Sequence, residues 1–145
     1  MLKEINKLEP EDASIILQAP ALLSVMAACS EKGTNIAEKV DAIRMSHLRT
    51  FTAEFQLLDY YREVEKTFVE QFEALAKKYY PMDDKNRKAL ERELIKLNKA
   101  ISKLGARNES IMHKSLNSYV AHVKKAGRSV FFDFFFPVPI EGITD

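Results

Sequence analysis

The side chains with most capacity for chemistry in this 145-residue chain are three histidines, one cysteine and several grouped carboxylates. Metal sites inside helical bundles are commonly built from Glu-x-x-His pairs on facing helices, and His47, His113 and His122 form no such set. Glu109 and His113 stand four residues apart and can share a helical face, but two ligands fall short of a closed or catalytic metal site. His113 and His122 are nine apart, half a turn out of phase on a helix, and so point in opposite directions. Cys29 lies among Met26, Ala27 and Ala28. A reactive thiolate needs a base or a positive charge beside it. None is near in sequence, so Cys29 reads as a buried structural cysteine. No catalytic pair or cofactor motif emerges, and the expectation is a non-enzymatic chain without a cofactor.

Two charge patterns have spacings worth weighing. Lys88, Arg92, Lys96, Lys99 and Lys103 step by 4, 4, 3 and 4, which lays a basic stripe along one helix face. Such a stripe can meet an anionic partner. No aromatic interleaves it and no nucleic-acid motif accompanies it, which argues against nucleic acid. The bland alternative is a solvated outer face, or pairing with the chain's own acids. The second pattern is Glu31, Glu38 and Asp41. Glu38 and Asp41 are three apart and Glu31 sits in the preceding turn. A hard cation wants several oxygens in one place, while caps and surface solvation use the same residues without metal.

The elements that must carry these residues read as helices separated by short breaks. Leu2, Ile5 and Leu8 suggest a first turn or two, and Pro10 opens a short helix to about Gln18. Pro20 opens the next, which is apolar almost throughout from Ala21 to Cys29 and should therefore be central. Gly33 suits a helix stop, and Asn35 with Glu38 makes a capping box for a helix bearing Ile36, Val40, Ile43 and His47. Thr52 should cap a long helix to about Tyr79, serving as the scaffold, with Phe55, Leu58, Tyr61, Val64, Phe68, Phe72, Leu75 and Tyr79 turned inward. Pro81 ends it, and Asp83 or Asp84 starts another. There Leu90, Leu94, Leu97, Ile101 and Leu104 step 4, 3, 4, 3. After Gly105 the series Met112, Leu116, Tyr119, Val123 and Ala126 repeats the step, so the two helices form an antiparallel hairpin.

Composition bounds the class. Apolar residues at 46% and charged residues at 30% are ordinary for one globular domain. A single cysteine excludes an internal disulfide and fits a reducing, cytoplasmic setting. No apolar run reaches the ~18 residues of a membrane span. The net charge of +1 hides a split: residues 1–82 sum to −3, residues 83–128 to +7 and residues 129–145 to −3. The chain ends on VFFDFFFPVPIEG, which holds five of the nine phenylalanines. Pro137 and Pro139 forbid a helix there and push Phe136 toward extended geometry. Phe131, Phe132, Phe134, Phe135, Phe136 and Pro137 are thus an interaction segment. It can pack on its own bundle, exchange with a second copy in a homodimer, or dock to another protein partner or a membrane. The expected architecture is all-α: a compact bundle of about five to seven helices over residues 1–128, with an extended Phe/Pro-rich tail over 129–145 packed on it as one domain.

The stretch PALLSVMAACSEKGTNIAEKVDAIRM resembles the apolar-helix, acidic-turn, helix unit of TerB-like domains, a family of all-α domains associated with tellurite resistance. Gly33 matches the family's glycine and Glu38 its later acid, while Lys32 stands where the family usually has aspartate and Glu31 is one position away. The resemblance covers roughly residues 18–104. It implies a compact helical fold and a protein–protein interaction role in stress-related or membrane-associated assemblies. It also implies a divalent-metal turn, which here would use Glu31, Glu38 and Asp41.

Overall fold

A computed structural model describes residues 1–29, 54–81 and 83–123, without the side chains of Ala28, Cys29, His122 and Val123. The described residues are helical with no strand. Six α-helices follow in order: α1 (Leu2–Asn6), α2 (Pro10–Leu17), α3 (Ala19–Cys29), α4 (Leu58–Lys78), α5 (Asp84–Ser102) and α6 (Ala106–Val123), with a 3-10 turn at Phe55–Leu57. The all-α class is as expected. The expected capping-box helix and the C-terminal tail lie outside the described residues, as does Thr52.

The short apolar helix, rather than the long one, occupies the centre. Every residue of α3 from Ala19 to Ala27 is buried. Helix α3 packs most extensively on α4, then on α6, and touches α2. Ala19, Ala21 and Ala27 add little bulk to a helix that serves several neighbours.

Helix α4 starts later than its sequence suggests. Glu54 is extended and the chain then winds through a 3-10 turn before α4 begins at Leu58. A 3-10 turn has ~3.0 residues per turn instead of 3.6, so it rotates the face ahead of it. Leu57 and Tyr60 are turned fully inward as a result, while Phe55 is 86% exposed and Leu58 37% exposed, against expectation. From Tyr61 onward the expected stripe holds: Tyr61, Val64, Phe68, Phe72 and Tyr79 are buried. Leu75 is only partly so, and Ala76 shares its place.

Helix α5 begins where its cap dictates. Asp83 is extended and its carboxylate accepts the Asn86 N–H at 2.8 Å, which satisfies one of the first-turn donors. Leu90, Leu94, Leu97, Ile101 and Leu104 are all buried, as the spacing requires. Gly105 sits at φ +92°, where side chains with a Cβ are strained, and reverses the chain into α6. The hairpin partner α6 shares this seam with α2, which packs on α5 more extensively. Asp12 in the first turn of α2 meets Lys103 at the end of α5 at 2.7 Å. The negative charge thus stands at a helix N-terminus and the positive one at a C-terminus, where each macrodipole favours it.

Candidate functional site

Inside the bundle, α3, α4 and α6 bring hydroxyls together. The Ser24 and Tyr119 hydroxyls are bonded at 2.7 Å, and Ser24 also donates to the Pro20 carbonyl at 2.7 Å. The Tyr61 and Ser115 hydroxyls are bonded at 2.9 Å. Tyr60 donates to the Ile16 carbonyl at 2.6 Å, beside the end of α2 where carbonyls lack helical partners. The Tyr60 and Tyr61 rings meet edge to face at 4.9 Å. Burial raises all three phenols: Tyr60 well above the ordinary value, Tyr61 likewise though the Ser115 bond opposes it, and Tyr119 up to about 12 despite the Ser24 bond. Phenols so raised stay protonated at neutral pH. The cluster holds the core together and contains no charged partner that would activate it.

Outside the core, an open groove of about 520 Å³ lies beside the α5–α6 turn. Glu4, Gln56, Arg107 and Ile111 are among its lining. Glu4 is the one carboxylate in that lining, and no Ser, Thr, Cys, Lys, Tyr or His accompanies it.

The histidines divide. His47 and the His122 side chain lie outside the described residues. His113 is half-buried on α6, and burial lowers its pKa while Glu109 pulls the other way. The two side chains therefore do share a face, as their spacing suggests. Among the described residues no three His, Cys, Asp or Glu side chains come close enough to hold a metal ion. Glu31, Glu38 and Asp41 lie outside the described residues, as do Phe131, Phe132, Phe134, Phe135, Phe136 and Pro137. Cys29 closes α3, and its side chain is likewise not described.

The basic stripe is brought together on the outside of α5. Lys88, Arg92, Lys96, Lys99 and Lys103 are all exposed. Lys96 reaches Glu93 at 3.2 Å and Lys103 reaches Asp12 at 2.7 Å. Asp12 raises the pKa of Lys103, first through the hydrogen bond and then through its charge. Pairing with the chain's own acids thus accounts for two of the five. The sequence reading missed two features around it. Ile95, 45% exposed, stands one position after the buried Leu94 and off the apolar seam, a signal visible in the spacing. Tyr80, 62% exposed, follows the buried Tyr79 at the end of α4.

No protein-family model, no curated protein and no solved structure matches the chain. Among the described residues no helix is long and apolar enough to cross a membrane.

Proposed function

We infer that the chain is a non-enzymatic helical domain that works by binding other proteins, as its resemblance to TerB-like domains implies, and that it does so in the cytoplasm, as its single cysteine suggests. One observation carries the reading. The buried hydroxyls of Ser24, Tyr60, Tyr61, Ser115 and Tyr119 are consumed by internal hydrogen bonds and that of Tyr79 is enclosed without one, while Phe55 and Tyr80 stand 86% and 62% exposed on the surface. Catalysis needs polar groups left free to meet a substrate, whereas association gains from apolar and aromatic side chains left on the outside. A second copy of the chain counts as a partner on this reading.

The test is the size of the native assembly. The chain at its natural level in a gentle cell extract is expected to elute from a sizing column well ahead of the purified protein. Elution at the same volume in both would contradict an interaction role.

A further inference from the structure

A row of cations runs along the outer face of α5. Lys85 extends the stripe through Lys88, Arg92, Lys96 and Lys99 to Lys103, always by steps of three or four, and all are exposed. At ~1.5 Å per residue the row is about 27 Å long. Lys85, Lys88, Arg92 and Lys99 form no ion pair among the described residues. Like charges one helical turn apart repel, so the row is a standing electrostatic cost that an acidic surface from outside relieves. The exposed Ile95 borders it, with Arg92 three residues before and Lys99 four after. Half-buried Glu91 stands on the other flank of Ile95, and Asp84, outside the row, meets Arg87 at 3.6 Å.

We propose that this face docks an acidic amphipathic helix of a partner protein, with an apolar side chain seated on Ile95 and carboxylates on Lys88, Arg92 and Lys99. The proposal rests on the interaction reading and names the partner's chemistry. Carboxylates spaced by helical turns match these cations step for step, since same-face neighbours on both helices lie ~5–6 Å apart. A nucleic-acid strand fits less well. The row offers no aromatic for a base to stack on, and an isoleucine gains nothing from phosphate. A bilayer wants a broad apolar face with several large side chains, and α5 exposes one large hydrophobic residue among its described positions.

The probe is a fluorescein-labelled synthetic amphipathic helix of leucine and glutamate, titrated with the full chain and read by fluorescence anisotropy. Random-sequence duplex DNA and phosphatidylserine vesicles are titrated in parallel. The peptide is expected to bind more tightly than either, and less tightly as salt is raised. The Lys88→Glu/Lys99→Glu double variant should weaken it by about tenfold or more. Ile95→Ser, which changes no charge, should weaken it without altering the salt dependence. Both variants should melt like the parent chain. No peptide binding, tighter binding of DNA or vesicles, or unchanged affinity in both variants would overturn the proposal. A failed peptide titration alongside a large assembly in extract removes this docking face and leaves the interaction reading standing.

Discussion

At the scale of single residues, the core is held by a few buried hydroxyls whose protonation sets a limit on stability. Tyr60, Tyr61 and Tyr119 have phenols raised above their ordinary value of 10.0, in each case chiefly by burial. The unfolded chain releases these protons first. As pH climbs past the ordinary phenol range the unfolded state holds fewer protons than the folded one, and stability falls with pH. The loss starts near the unfolded value and for Tyr119 continues until about 12. We expect phenolate absorbance of the buried tyrosines to appear together with loss of helical circular dichroism, as one alkaline transition. Tyr119→Phe should cost about 1 kcal/mol at neutral pH through its lost hydrogen bond, yet make stability less steeply pH-dependent above the phenol range. Smooth ionisation of all tyrosines with the helices intact would show that these rings are not enclosed. Tyr61 and Tyr119 were visible in the sequence as inward-facing residues, whereas Ser24 and Ser115 were not. Their pairing was not visible either, because it joins α3, α4 and α6 across long separations that no local spacing encodes.

At the scale of elements, periodicity told most where one face is uniformly apolar. The seam of α5 and the buried length of α3 followed from spacing alone, and Asp83 and Gly105 marked their turns by chemistry. The start of α4 did not follow. Phe55 and Leu58 fit a continued helical stripe, but a 3-10 turn shifts the register and presents Leu57 and Tyr60 instead. The competing patterns, Phe55/Leu58 and Leu57/Tyr60, are offset by two residues, and the hydrogen bond from Tyr60 to Ile16, remote in sequence, helps to decide between them. The register makes a direct prediction. Phe72→Ala empties a fully buried site and should cost about 3–5 kcal/mol or unfold the domain. Phe55→Ala removes an exposed ring and should change stability by no more than ~0.5 kcal/mol. Equal losses in thermal melts of the two variants would mean that the inward face of α4 is misassigned.

At the scale of the whole molecule, the described residues combine a packed apolar interior with a surface that exposes Phe55, Tyr80 and Ile95 and carries a basic row along α5. The helical bundle supplies rigidity, and the surface supplies whatever recognition the chain performs. The basic stripe of α5 was legible because five cations, Lys88 to Lys103, repeat by helical steps. What surrounds it was legible only in part: the spacing places Ile95 off the apolar seam, but the exposure of Tyr80 and the Asp12–Lys103 bridge depend on how α2, α4 and α5 pack. The central claim is that this exterior binds protein, and site-resolved photo-cross-linking in cells tests it most directly. A photoreactive residue is placed in turn at Phe55, Tyr80 and Ile95, with exposed Ser118 on α6 as the control. Discrete adducts of defined mass are expected from at least one of the apolar positions and none from Ser118. No adduct at any apolar position, or the same adducts from Ser118, would contradict the account.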